Sequence, residues 1–189
     1  MNIYIVISDN GWYAKNILQR FPNYKGIDRF PWPLSHEDFQ ELSKKITINM
    51  KEMEEKDING LFCDDYDYAC RYKELCDLLN INAVIYMCKI CSDAFSDNQI
   101  KEIEGEEYIF LGYEYVMKDA SYSCIIQEKH LIDKIKKISL NENGLFRSIA
   151  DAQEFVSLRK IANKKNNGNG FELGEDGVDF YIIALFKCK

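Results

Sequence analysis

Two cysteines separated by two residues are the first candidates for chemistry. Cys88 and Cys91 have the spacing of a redox pair or of half a zinc site. A redox pair normally begins a helix, where the helix dipole lowers the thiol pKa, whereas this pair ends an apolar run typical of a strand. A zinc site needs two further ligands, and the sequence has no second CxxC and no paired histidines. The spacing favours two thiols alternating along a strand end, and a redox or metal role stays open.

The two histidines are the candidate acid–base groups. His36 is predicted in the first turn of a helix and His130 near the start of another, so neither has an acid or a nucleophile beside it in sequence. The catalytic alternative is an arrangement of Cys124, His130 and an acid. It predicts a small enzyme or ligand-binding domain whose pocket is lined by Tyr113, Tyr115, Cys124 and His130.

Cofactor and metal motifs are otherwise missing from the sequence. The glycines never form a GxGxxG turn after a strand or a GxxxxGK[ST] loop, which argues against nucleotide binding. Asp64, Asp65 and Asp67 have the spacing of a loose calcium loop, but Cys70 and Cys76 stand where the glycine and the distal glutamate belong. We therefore expect no cofactor and no metal.

Acidic residues alternate with tyrosines in two short stretches, the first being Asp64-Asp65-Tyr66-Asp67-Tyr68 and the second Glu106-Glu107-Tyr108 with Tyr113-Glu114-Tyr115. Carboxylates steer the encounter with a basic macromolecule, and tyrosine rings supply contact area. The 12 tyrosines of this chain exceed what core packing needs, although charged residues also flank loops in most soluble proteins and tyrosines often lie half-buried. The predicted partner-binding residues are Asp64, Asp65, Tyr66, Asp67, Tyr68, Glu106, Glu107, Tyr113, Glu114 and Tyr115.

The charge distribution bounds the class of partner. The net charge is -7, with nine acids against three bases in residues 52–77 and nine bases against four acids in residues 129–165. The lysines of the basic region fall at helical spacing among apolar residues and indicate a solvated helix face. An acidic chain repels phosphate backbones, so we expect no nucleic-acid partner.

The expected location follows from apolar runs and cysteine usage. No apolar run approaches the roughly 20 residues that span a bilayer, and the first residues lack a basic leader. We therefore expect a cytoplasmic protein that makes no membrane contact. The seven cysteines are odd in number and scattered, which favours reduced thiols.

The apolar periodicity predicts the elements that position these residues. We expect a single globular domain over residues 1–189, of the α+β or α/β class, with a mixed β-sheet of about four strands covered by about five helices. Gly112 is expected to mark a bulge or a close approach, and the last strand to offer an exposed edge that could support a dimer. Residues 22–34 form a Pro-rich internal loop. The predicted strands are 3–7, 83–90, 108–117 and 178–187, and the predicted helices are 14–21, one capped by Ser35 and reaching Met53, 69–79, 130–138 and 148–163.

Residues 108–116, followed by Ser121 and Ser123, resemble a pattern of bacterial immunity proteins from toxin competition systems, including contact-dependent growth inhibition. The pattern is a hydrophobic strand that ends in Leu-Gly-Tyr and an acid. Residues 140–146 and 180–184 also resemble segments of these immunity proteins and follow in the same order. The resemblance implies a cytoplasmic, non-enzymatic protein that binds one cognate toxin and blocks it. It carries over no site residues, because such proteins vary most where they meet the toxin.

The resemblance and the charge pattern together predict an immunity or inhibitor protein. We expect it to neutralise a basic nuclease-type toxin through its acidic, tyrosine-rich surface. The sequence leaves open the toxin's identity, which acidic stretch contacts it, the oligomeric state, and whether Trp32 anchors an interface or fills the core.

Overall fold

A computed structural model describes most of the predicted elements. Its described residues are 2–8, 12–27, 57–58, 62–78, 80–117, 123–127, 138–165 and 180–189. Several predicted features lie outside them: the helix capped by Ser35, the predicted helix 130–138 apart from Ile138, both histidines, Trp32, and the Pro-rich loop from residue 28 onward. The strands are β1 Ile3–Ser8, β2 Asp57–Ile58, β3 Phe62–Cys63, β4 Ala83–Ile90, β5 Tyr108–Met117 and β6 Phe180–Cys188, and the helices are α1 Trp12–Arg20, α2 Tyr66–Leu78, α3 Asp97–Ile103, α4 Cys124–Gln127 and α5 Ile149–Lys165.

The strands form one antiparallel sheet in the order β2-β3-β1-β4-β6-β5. The class is therefore α+β, and the expectation of a mixed sheet is wrong. The four long strands are those predicted, and the two-residue strands β2 and β3 add a hairpin at one edge. The apolar run of β4 has four consecutive buried residues, Ile85 to Cys88, which confirms burial on both faces. Such a run does not determine strand direction, because a central antiparallel strand can also be covered on both faces.

The helices match the prediction in part. The described residues contain four helices of seven or more residues and the four-residue α4, so the predicted set of five is not confirmed. Helix α3 was missed, because Ile100 is its one buried residue and leaves no apolar stripe to detect. Its start is defined instead by a polar cap, in which the Ser96 N–H donates to Gln99 Oε1 at 2.9 Å.

The last strand, β6, lies inside the sheet rather than at its edge. β6 pairs with β4 on one side and with β5 on the other, so the exposed terminal edge that we expected is not there. β5 lies at the end of the sheet, and its outer edge is covered. Tyr113 and Phe146 exchange two backbone hydrogen bonds of 2.9 Å, and Val116 forms a further bridge with Ser123. Covering this edge protects it from pairing with another chain.

Gly112 marks a bulge in β5, as predicted. Phe110 lies opposite Phe186 and Gly112 lies opposite Leu185, which leaves Leu111 as the extra residue. The φ angle of Gly112 is 141°, and a Cβ at this position would lie 2.6 Å from the Leu145 Cβ. The bulge therefore requires glycine for both its backbone conformation and its close packing.

Candidate functional site

Tyr4 joins the two acid–tyrosine stretches. Its ring centroid lies 5.2 Å from that of Tyr66, which begins α2 in the first stretch. It also neighbours Tyr108, which belongs to the second stretch and begins β5, since a side-chain hydrogen bond with Tyr4 raises the pKa of Tyr108. We call these three residues the tyrosine cluster. Sequence reasoning missed Tyr4, because it lies within an apolar strand with no acid beside it.

The sheet register positions the tyrosine cluster. Tyr4 lies opposite Met87, Met87 opposite Phe186, and Phe186 opposite Phe110, so these four side chains share one face of the sheet. Because side chains alternate along a strand, Tyr108 lies on the same face. Helix α2 packs against β1 and β4, and it places Tyr66 over this face of the sheet. The cluster therefore bridges strands that are not neighbours in the sheet.

Exposed carboxylates flank the tyrosine cluster at both ends. Asp64 and Asp67 are exposed on either side of Tyr66, whose side chain is 41% exposed, and Glu106 and Glu107 are exposed just before Tyr108. We call these four acids and Tyr66 the acid–tyrosine surface. Its two ends, Asp64 and Glu107, are four strand spacings or about 19 Å apart across the sheet and about four residues apart along the strands, or about 23 Å in all. An ordinary protein interface of about 800 Å² per partner spans that distance.

Asp65 serves the fold of the first stretch. Its Oδ1 accepts the Tyr68 N–H at 3.1 Å, and its backbone carbonyl accepts the Ala69 N–H at 3.2 Å. These are the bonds of a helix N-cap, and they satisfy donors at the start of α2 that would otherwise lack partners. Asp65 is half-buried, so it contributes less to the surface charge than Asp64 and Asp67.

The turn that carries Glu106 and Glu107 is held from several directions. The Glu104 Oε1 accepts the Phe110 N–H at 3.3 Å, which ties the end of α3 to β5. Lys189 follows β6, and its N–H donates to the Glu107 carbonyl at 3.0 Å. The Lys189 Nζ donates to the Gly105 carbonyl at 2.8 Å. The turn therefore presents its two acids from a fixed backbone.

Tyr66, Tyr108 and the neighbouring Cys188 stay protonated at neutral pH. Burial raises the pKa of Tyr66 to about 12, with a further contribution from its side-chain hydrogen bond to Cys70. The hydrogen bond with Tyr4, then burial, raises the pKa of Tyr108. Burial and the neighbouring Cys70 raise the pKa of Cys188 to about 11. These groups therefore act as neutral hydrogen-bonding and packing groups rather than as nucleophiles.

Four of the ten predicted binding residues are buried, which corrects their assignment to a surface. Tyr68 is 5% exposed, Tyr113 and Glu114 are 0% exposed, and Tyr115 is 6% exposed. Tyr68 lies on the core side of α2, since a two-residue step on a helix turns the side chain by about 200° from Tyr66. The other three follow the Gly112 bulge, where the covered edge of β5 and packing on both faces enclose consecutive side chains.

Tyr113 is part of the core hydrogen bonding. Its hydroxyl donates to Asp97 Oδ1 at 2.5 Å, and burial followed by this hydrogen bond raises its pKa. Asp97 also accepts the Ile149 N–H at 3.3 Å, so it links the start of α3 to the start of α5. A fully buried Tyr113 does not line an open pocket. Tyr115 is buried as well. The remaining groups of the catalytic alternative, the Cys124 side chain and His130, lie outside what the structure describes.

Glu114 fastens the segment after α1 to the sheet. Its carboxylate accepts the Tyr24 hydroxyl and the Ile27 N–H, the latter at 2.9 Å. A Cβ on Gly26 would collide with both the Tyr24 hydroxyl and Glu114 Oε1. The acid that ends the Leu-Gly-Tyr pattern is therefore a structural group, and sequence alone has no signal for it because exposed and buried glutamates look alike.

The structure separates the two cysteines of the CxxC spacing. An odd offset of three residues places Cys88 and Cys91 on opposite faces, since Ile90 pairs with Ile183 and the Cys91 N–H continues the ladder to the Ile182 carbonyl. Burial raises the pKa of Cys91 to about 12. This thiol is a poor nucleophile at neutral pH. Among the described residues, no group of three or more His, Cys, Asp or Glu side chains is arranged to hold a metal ion.

Comparison with protein families, with curated proteins and with solved structures gives no match for this chain. None of the helices in the described part has the length and apolar character of a membrane span.

Proposed function

We propose that this protein is an immunity or inhibitor protein that binds a basic protein toxin through the acid–tyrosine surface. The observation that carries the proposal is the connection of the two acidic stretches through Tyr4. Stretches that lie about 40 residues apart in sequence flank one tyrosine cluster on one face of the sheet. A single partner can therefore engage both of them at once.

The surface has the chemistry of a steered protein interface. The exposed acids Asp64, Asp67, Glu106 and Glu107 attract a basic partner and raise the association rate. The exposed ring of Tyr66 adds amphipathic contact area beside them, and aromatic anchors of this kind contribute much of the energy of protein interfaces. Both turns are held by hydrogen bonds, so little conformational entropy is lost when the partner binds.

Inhibition would follow from occlusion. A nuclease-type toxin needs a basic surface to hold phosphate, and an acidic protein bound there excludes the substrate. The protein needs no catalytic group for this action. The toxin class and the cytoplasmic site of action belong to the proposal.

The proposal is tested by capturing the partner from the source cell and measuring its toxic activity with and without this protein. The association rate is then compared between the wild type and the double variant Asp64→Lys/Asp67→Lys. Asp65 is left intact because it caps α2. The matched control is Asp93→Lys/Glu142→Lys, which reverses two exposed acids outside the surface and changes the net charge equally.

We expect the surface variant to associate about tenfold more slowly at low salt, with a weaker salt dependence, because rim charges act mainly on the association rate. The control should lose much less. Equal losses in both variants would show that net charge alone matters and would remove Asp64 and Asp67 from the interface. A captured partner whose activity is unchanged by the protein would overturn the inhibitor proposal.

A further inference from the structure

Lys189 lies against the acidic turn through its backbone and its side chain. The backbone N–H donates to the Glu107 carbonyl at 3.0 Å and extends the β5–β6 ladder one pair beyond Tyr108 and Cys188. The ammonium donates to the Gly105 carbonyl at 2.8 Å. Both bonds end on carbonyl groups of the turn. The side chain thus binds the turn backbone in a definite geometry rather than as a diffuse counter-ion of its carboxylates.

The two carbonyls bracket Glu106. Lys189 donates to the Gly105 carbonyl before this residue and to the Glu107 carbonyl after it. The backbone that carries Glu106 and Glu107 is therefore held at both ends. The turn also closes on itself, since the Gly105 N–H donates to the Tyr108 carbonyl at 3.3 Å. This last bond is long, and the ammonium bond is charge-assisted and therefore the stronger of the two.

We infer that Lys189 is a positioning residue that sets the direction in which the acidic turn presents Glu106 and Glu107. Its charge has the wrong sign to attract a basic partner. Its contribution to binding is therefore geometric and opposes its electrostatic effect. The binding consequence rests on the proposed function, whereas the ordering of the turn does not.

The ordering is tested by hydrogen exchange in three forms of the full chain, namely the wild type, Lys189→Gln and Lys189→Arg. Removing the ammonium should speed exchange of the Gly105 and Phe110 amides about threefold or more, because an exposed charged bond contributes a modest free energy. Exchange in β4 should not change, which separates local ordering from global stability. Lys189→Arg keeps the charge and the donors and should restore slow exchange. Unchanged exchange in Lys189→Gln, or no rescue by Lys189→Arg, would overturn the inference.

Binding distinguishes geometry from charge by the sign of the effect. A deca-arginine peptide responds to charge and does not need the turn in one geometry. Lys189→Gln removes a positive charge and should therefore bind this peptide more tightly than the wild type. The same variant should bind the captured basic partner about threefold more weakly, because that partner needs the turn in place. Tighter binding of both would refute the positioning role in recognition. If the wild type captures no basic partner, the proposed function fails while the exchange result still decides the ordering.

Discussion

Tyr4 and Tyr66 pack with their ring centroids 5.2 Å apart and their planes inclined by 54°. Tyr4 lies on β1 and is buried, and Tyr66 begins α2 and is 41% exposed. This contact attaches the start of α2, with the acids on either side of it, to the sheet. It is also the link through which the first acidic stretch reaches Tyr108.

The contact between Tyr4 and Tyr66 predicts an energetic coupling. Aromatic pairs contribute about 1 kcal/mol beyond the area they bury. In a double-mutant cycle with Tyr4→Leu and Tyr66→Leu, urea denaturation should give a coupling of about 1 kcal/mol. The control cycle combines Tyr66→Leu with Tyr86→Leu, which lies on the opposite face of the sheet, and its effects should add. Additivity in the first cycle would mean that the ring contact contributes nothing.

The Gly112 bulge predicts a large cost for one methyl group. Gly112→Ala would place a Cβ 2.6 Å from Leu145 Cβ and 2.7 Å from Asn141 Nδ2, at a φ of 141° that alanine rarely adopts. We expect the free energy of unfolding to fall by about 3 kcal/mol or more. The control is Gly105→Ala, where a Cβ would meet no atom within 4 Å. That change should alter stability by less than about 1 kcal/mol in thermal or urea unfolding. Equal effects of the two substitutions would contradict the bulge geometry.

The buried Glu114 predicts that a neutral isostere is not tolerated. The two carboxylate oxygens accept hydrogen bonds from the Tyr24 hydroxyl and the Ile27 N–H, one each. The amide in Glu114→Gln has only one oxygen that can accept, so it cannot replace both acceptors. We expect a loss of about 2 kcal/mol in the free energy of unfolding. Glu102→Gln on the exposed face of α3 should stay within about 0.5 kcal/mol. A loss no greater than that of Glu102→Gln would show that Glu114 does not fasten the segment after α1.

The raised pKa of Tyr66 predicts alkaline behaviour. The folded value is about 12 and the unfolded value is 10.0, so this group's contribution to stability is fully present below pH 10 and is lost as the pH rises from 10 to 12. The stability of wild type relative to Tyr66→Phe should therefore fall across this window. In an absorbance titration of phenolate, Tyr66→Phe should remove signal near pH 12. Removal of signal near pH 10 instead would contradict a raised pKa for Tyr66.

Local pattern was enough to locate much of the secondary structure. The four long strands, the helices α1, α2 and α5, and the glycine at the bulge were predicted, because alternation, apolar runs and helical spacing are set by residues close in the chain. Helix α3 was missed since it buries one residue. Strand direction was wrongly predicted, because pairing is decided between segments as distant as β1 and β4.

The sequence by itself determined which residue types are available for binding: two stretches in which acids alternate with tyrosines. The tertiary structure decided which of them reach solvent. Tyr66 and Tyr68 are two positions apart, yet one is exposed and the other is buried, because the helix turns them to different sides. Glu114 is buried because a bulge and a distant tyrosine enclose it, and Tyr4 connects the two stretches across four strands of the sheet. Contacts between residues so far apart in sequence depend on how the whole chain packs, and no short stretch of the sequence predicts them.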